Sequence, residues 1–473
     1  MVRALWSSRH RRVWPALFLL GGCGGVQAAR GHDQVAALVA ERSGGARTRW
    51  QDGPPPEARI ADWVRSLLAD GLTRERAVEI ALVNNPALKE TYEHLGVSQA
   101  DMVQAGLLRN PTFGLDLGFG TGTLGELRGS VVQDFLDLIV LGRRKEIARE
   151  QFLSDTLRVA HQALETAAMV SRAFVDVQTQ EAVVAQRRVL LDTQGLGAAL
   201  MERRHAAGNA TDLERAEEDA SLAEARLELN RDELELVERR EHLNQLLGLS
   251  GASSAWTVRE PLAEPMAAEP ALATLEASAL KRRLDVAAAG GQAVLLAKAT
   301  ALARSTRAIG RLDIGVDAHQ DPDGPRVIGP NLVIELPIFD QRQATIARLY
   351  ASQREAERHH ERVVGDVRAE VRVAHARTAA AREVVAHYHD TLLPLRRSVV
   401  ELTQQAFNGM LIGAPRLLEA KRAELDAHRG YLAALGAYWT ARAELERATA
   451  SRLDTSTSGP MATAGTDRDG GKR

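Results

Sequence analysis

The chain has 473 residues, of which 45% are hydrophobic but only 4% aromatic, so its apolar mass is mostly Ala, Leu and Val. That mixture favours long helices over a compact aromatic core. Its 60 basic and 62 acidic residues leave a net charge of −2, which argues against nucleic acid as a partner, and a single cysteine excludes a disulfide framework or a Cys-based zinc site within one chain.

Arg3, Arg9, Arg11 and Arg12 precede a short apolar run at 13–20. This predicts a secretory signal peptide over residues 1–22, too short to span a bilayer. Leu20-Gly21-Gly22-Cys23 resembles a bacterial lipobox, which makes Cys23 the candidate lipidation site. A lipid chain anchors without spanning. Gly24 follows, not the Asp that often retains lipoproteins at the inner membrane. The plainer alternative is cleavage after Val26-Gln27-Ala28, which discards Cys23. Either route takes the protein out of the cytoplasm. No later apolar run approaches about 18 residues, so no transmembrane helix is expected.

Residues 23–71 contain Pro54-Pro55-Pro56 and read as an irregular lead-in. A first repeat is expected at 72–249. It opens with helix at 73–109, interrupted at Asn84-Asn85-Pro86. Phe113, Leu115, Leu117 and Phe119 then alternate with Gly114, Asp116 and Gly118, and Leu127, Val131 and Phe135 share a side with Gly129 and Gln133. Period two means strand, so 112–135 reads as a β-hairpin. A proline-free helix follows at 143–207, about 100 Å long at 1.5 Å per residue. Leu153, Leu157, Ala160, Leu164, Ala167, Ser171, Phe174 and Gln178 give it a heptad seam. Ala207-Gly208-Asn209 forms a tip. A return helix carries a second seam through Leu213, Ala216, Ala220, Ala223, Leu227, Asn230, Leu234 and Val237.

A connector at 250–270 leads into a second repeat at 271–450, with helix to 307 and a hairpin at 310–337. In that hairpin Leu312, Ile314, Val316 and Ala318 form one strand and Leu332, Ile334 and Leu336 the other, stopped by Pro337. The second long helix, 341–407, has the cleanest seam: Val364, Val367, Val371, Ala374, Thr378, Ala381, Val385, Tyr388, Leu392, Leu395, Val399, Leu402 and Ala406. Pro394 should kink it, as a hinge or a fixed bend. Asn408-Gly409-Met410 forms the second tip, and a return helix starts at Pro415. The tail from 451 reads as disordered. Leu115-Asp116-Leu117-Gly118 recurs as Leu312-Asp313-Ile314-Gly315, and Ile147-Ala148-Arg149 as Ile346-Ala347-Arg348, which supports an internal duplication.

The fold class is therefore mainly α with a small β part: two tandem helical hairpins and two β-hairpins. Each strand is near the length that crosses an outer-membrane bilayer on a tilt. One side is apolar, and the other carries Asp116, Asp313, Asp317 and Glu335. Four strands cannot close a barrel, so membrane insertion requires oligomerisation.

In its order of parts the chain resembles the TolC-like outer-membrane efflux proteins. The supporting residues are Leu72-Thr73, Ala81-Leu82, Asn85-Pro86, Leu108 to Pro111, both tips and Leu336 to Asp340. The resemblance implies a homotrimer, with a 12-stranded barrel in outer-membrane lipid continued by a helical tunnel across the periplasm. It also implies a passive duct served by an inner-membrane pump and a periplasmic adaptor. Closely similar members often serve heavy-metal or copper export. On the same grounds the adaptor-docking residues are Ala207, Gly208, Asn209, Asn408, Gly409 and Met410. Glu419 takes the place of an acidic tunnel ring, with Arg416 at the preceding acidic position and Asp212 as a further candidate.

Gly120-Thr121-Gly122-Thr123-Leu124-Gly125 matches GxGxxG, but it joins two strands where a dinucleotide site joins strand to helix. Its glycines serve the turn. A two-helix turn needs glycine for positive φ, which by itself accounts for Gly208 and Gly409. His359, His360, His375, His387, His389 and His428 read as solvated helix surface, since His387 and His389 lie on different faces. No cofactor is expected. No nucleophile–base pair, Walker loop or HExxH occurs, so an enzyme is not expected. Two other readings stand beside efflux: a family member serving type I protein or polysaccharide secretion, and a soluble periplasmic coiled-coil adaptor.

Overall fold

The computed structural model describes residues 29–46, 57–120, 123–266, 269–320 and 324–453. The signal peptide, Cys23, the triple proline, Thr121-Gly122 and the tail from 454 lie outside the described residues. The lead-in, expected to be irregular, contains α1 (Ala29–Arg42) and α2 (Glu57–Leu68). Val35 with Val39, and Ile60 with Val64, bury one short i,i+4 stripe on each helix. Two apolar residues per helix are too few to stand out as a periodic signal.

α3 (Arg74–Asn84) and α4 (Pro86–Ala105) meet at the Asn-Asn-Pro break. Asn85 caps α4, its side chain accepting from the Leu88 N–H at 2.9 Å. Pro86 fills the first helical position, where no N–H is needed. The same asparagines also close another helix. Asn84 donates to the carbonyls of Leu247 and Gly248 at 3.0 and 2.8 Å, and Asn85 donates to that of Leu246 at 2.7 Å. Those carbonyls belong to a helix end that would otherwise leave them unsatisfied.

β1 (Thr112–Gly120) and β2 (Thr123–Asp134) form the first hairpin, and α5 (Phe135–Ala206) starts directly at its end. The sequence placed that start eight residues later. Asp134 sets it by accepting from the Asp137 N–H at 3.1 Å. α6 (Asp212–Leu247) returns along α5 and ends at Gly248, φ 66°. A Cβ there would lie 2.5 Å from the Asn84 carbonyl, so the turn requires glycine.

The second repeat begins with α7 (Leu272–Arg282) and α8 (Leu284–Ser305), not the single helix expected. Arg283 takes an extended conformation, φ −68° and ψ 125°, close to that of Asn85. No Pro or Gly marks this break. The buried Arg283 guanidinium is held by Asp285 at 2.6 Å and Glu370 at 2.5 Å. α8 is also long and apolar enough to cross a membrane, with mean hydropathy 1.4 over 18 residues. This corrects the sequence reading that no such helix exists. Its Leu284, Val286, Leu295 and Ala303 are buried within the fold.

β3 (Leu312–Gln320) and β4 (Val327–Ile334) form the second hairpin. β4 starts earlier than the apolar alternation suggested and ends before Leu336. β4 includes Gly329-Pro330-Asn331, residue types that favour turns. The four strands make one antiparallel sheet in the order β1-β2-β3-β4. Phe113 opposes Val131, Val131 opposes Val316, and Val316 opposes Pro330. One face is thus apolar and exposed: Phe113, Leu115, Leu117, Leu127, Val131, Ile314, Val316, Ile328 and Leu332. The other carries Asp116, Glu126, Arg128, Asp317 and His319, and Asn331 donates to Asp317 at 2.8 Å.

α9 (Gln343–His387) passes through a π-turn at Tyr388–Leu392 into α10 (Leu393–Asn408), and α11 (Ala414–Thr449) returns. The π-turn sits just before Pro394, which in a regular α-helix would crowd the carbonyl four residues back and offer it no N–H; here the Leu393 N–H reaches back five residues to the Tyr388 carbonyl. Tyr388 packs its ring against Gly430, where a Cβ would lie 2.6 Å from the hydroxyl oxygen. Above the π-turn the heptad seam is buried at Val367, Val371, Ala374, Thr378 and Val385. Below it Leu395, Val399 and Leu402 are exposed.

The long helices lie side by side, α6 on α5, α5 on α11, and α11 on α9 and α10. The connector straps across them. Trp439 Nε1 donates to the Ala263 carbonyl at 2.7 Å, and buried Arg442 grips both carboxylate oxygens of buried Glu269 at 2.9 Å.

Of the two seams expected in the first repeat, only that of α5 is a packing face. On α5, Ala160, Ala167 and Phe174 are buried and Leu157 and Leu164 lie against the same core, with Leu153 exposed at the seam's start; covered from several sides, the helix buries Val159, Ala163, Val170, Ala173 and Val177 as well. On α6 the stripe points away from α5: Leu213, Leu227, Leu234 and Val237 are 67%, 58%, 60% and 56% exposed.

α5 and α11 approach closely at Gly436, where a Cβ would overlap Thr179 Oγ1. Gly436→Ala should therefore destabilise the chain by about 1–3 kcal/mol, as overpacking does. Thr179→Ala in the same chain should recover part of that loss, since it removes the two nearest atoms and leaves the Cβ at 2.9 Å. Thermal unfolding of the single and double variants measures both.

Candidate functional site

The two tips are built differently. At the first, Gly208 has φ 74°, and the Asn209 N–H donates to the Arg204 carbonyl at 2.8 Å. α6 then starts on a capping box: Thr211 Oγ1 accepts from the Glu214 N–H at 3.1 Å, and Glu214 accepts from the Thr211 N–H at 2.7 Å. That backbone hydrogen bond, the largest cause, holds the Glu214 carboxyl below its ordinary range. His205 Nε2 lies 2.9 Å from Asp212 Oδ1 and so spans the turn. This tip is polar.

The second tip is apolar. Its positive φ falls on Met410, 58°, while Gly409 has φ −79°, so glycine there is not explained by the left-handed region as expected. The Gly409 N–H donates to the Gln405 carbonyl at 3.0 Å, and the helix is closed one residue later by Met410. A left-handed conformation costs a non-glycine residue roughly 1 kcal/mol. It displays Met410 at 93% exposure beside Leu411 at 80%.

Behind the tips, Arg416 and Glu419 share a groove between α6 and α11 with Glu217, Glu218, Glu224 and Arg422. Arg416 Nη1 binds Glu419 Oε2 at 2.6 Å, and Arg422 pairs with Glu218 across the two helices. Gly197 of α5 floors this bridge; a Cβ there would lie 3.1 Å from Leu418 and 3.2 Å from Glu218. Asp212 stands apart at the first tip. Glu419 and Asp212 thus each have a basic partner in this chain. Sequence reasoning missed Glu218 and Arg422, although Arg422 follows Glu419 at helical i,i+3 spacing.

The sequence profile of the family described as outer membrane efflux protein matches residues 77–249. No curated protein matches the chain by sequence. Among solved structures, a membrane protein from Pseudomonas aeruginosa is 20% identical with TM-score 0.68, over 82% of this chain and 95% of its own. The outer membrane protein VceC from Vibrio cholerae is 15% identical with TM-score 0.67, over 83% and 99%. The open-state outer membrane channel MtrE from Neisseria gonorrhoeae is 17% identical with TM-score 0.65, over 80% and 88%. The first repeat of this chain thus carries the signature of the outer membrane efflux protein family, and the chain as a whole has the fold of these outer-membrane channels.

Proposed function

We propose that the chain is one subunit of an outer-membrane exit duct. In this reading it carries small molecules or metal ions passively from an inner-membrane pump and a periplasmic adaptor to the exterior. One observation carries it: a four-stranded sheet with an exposed apolar face and two open edges. Open edges do not persist in lipid, and about eight strands are needed for the smallest closed barrel. Copies of the chain supply the missing strands, β4 of one beside β1 of the next. Three copies give the twelve strands that the resemblance implies.

The helices support the same ring. α6 and α10 are the outer members of their layer, and each exposes an apolar stripe. Joining one stripe to the other head to tail closes a cyclic assembly. Cys23, lipidated, adds an anchor in the outer membrane. The two repeats at 72–249 and 271–450 each turn back at a tip directed at the adaptor, and the groove holding Arg416 and Glu419 narrows the tunnel above them. A soluble periplasmic adaptor leaves the apolar sheet face without a purpose.

The wild-type chain should fractionate with the outer membrane and migrate in native detergent at three times the subunit mass. A soluble monomer overturns the reading. Met410→Asp with Leu411→Asp should weaken adaptor binding about tenfold or more, equivalent to about 1.4 kcal/mol, while the oligomer stays intact. Equal binding by the variant removes the second tip from the docking surface.

A further inference from the structure

The edge of β4 has a gap at its middle. Just past the strands, the Glu335 N–H donates to the Arg311 carbonyl at 3.0 Å, and Leu312 opposes Ile334. Bonded and non-bonded pairs alternate along an antiparallel ladder. Counting inward, Asp313–Val333 and Gly315–Asn331 exchange bonds, whereas Ile314–Leu332 and Val316–Pro330 do not. The backbone nitrogens of Pro330, Leu332 and Ile334 therefore point away from β3, towards the open edge. Leu332 and Ile334 offer an N–H there; Pro330 has none. Its ring is exposed on the apolar face between Ile328 and Leu332. β1, the opposite edge, contains no proline.

An exposed apolar edge is a template for uncontrolled pairing, and proline on an edge is one way to blunt it. We propose that Pro330 guards the seam where β4 of one copy meets β1 of the next, a role that rests on the ring described above. By removing the central donor it leaves that seam short of a hydrogen bond. Sheet pairing alone is then too weak to join two copies. The seam closes only when the apolar stripes of α6 and α10 have already brought the edges into register. Assembly is led by the helices and finished by the sheet.

Two full-length variants in native detergent test this. Pro330→Val restores the donor and keeps an apolar side chain on the same face. Leu332→Pro removes a second edge donor without touching the β3–β4 ladder. The oligomer of Pro330→Val should dissociate at a higher temperature than wild type on heating in SDS, and that of Leu332→Pro at a lower one. On dilution from denaturant, Pro330→Val should also convert more of the chain to open aggregates in place of the closed oligomer. A dissociation temperature that Pro330→Val leaves unchanged or lowers overturns the proposal, as does a Leu332→Pro oligomer as stable as wild type. A wild-type chain that is monomeric in native detergent speaks against the ring itself. An oligomeric wild type unmoved by either variant speaks against Pro330 alone.

Discussion

A backbone N–H or C=O that enters hydrocarbon must find its partner within protein, because no water is there to replace it. The sheet of this chain meets that demand along β2 and β3 and fails it along the outer edges of β1 and β4. The rest of the proposed assembly depends on the unmet hydrogen bonds at those two edges. A sheet with a greasy face and open sides is incomplete as a monomer. A cyclic arrangement of copies completes it without leaving a new edge elsewhere.

The helical layer has the same incompleteness in different chemistry. Hydrogen bonding inside a helix is self-contained, so the unmet demand is apolar area. α6 buries Ala225, Leu243 and Leu247 within the chain, with Leu236 and Leu246 packed against the same core, and turns Leu213, Leu227, Leu234 and Val237 outward. Within the subunit, cohesion comes from that core, from close approach at Gly436 and from buried polar clamps such as Arg442 with Glu269. A second apolar stripe is therefore free for contacts between subunits.

This division explains which features the sequence made legible. Period-two alternation identified both faces of the sheet, because one face must be uniform along each strand. The α6 stripe was equally visible, but a stripe does not say whether its partner lies in the same chain. The break at Arg283 was invisible, since an ion-paired arginine replaces the Pro and Gly that usually mark such a turn. β4 was misjudged for the opposite reason: Gly329-Pro330-Asn331 has turn chemistry inside an edge strand. At the second tip the sequence pointed to Gly409, whereas the backbone placed the left-handed residue at Met410. Glu419 was read as part of an acidic ring with Arg416 at the preceding position, but the cross-helix bridge from Arg422 to Glu218, packed over Gly197 of a third helix, was not visible.

The π-turn at Tyr388–Leu392 works as a gear in an otherwise continuous shaft. One added residue in a helical turn rotates the helix beyond it by roughly 100°. The heptad written into α9 and α10 is unbroken, yet its upper half looks inward and its lower half looks out. A single repeating pattern thereby addresses two different partners, α11 above and, in the ring, the neighbouring copy below. Evolution of the inner packing and of the subunit contact can then proceed independently along one helix, since no residue of the stripe serves both.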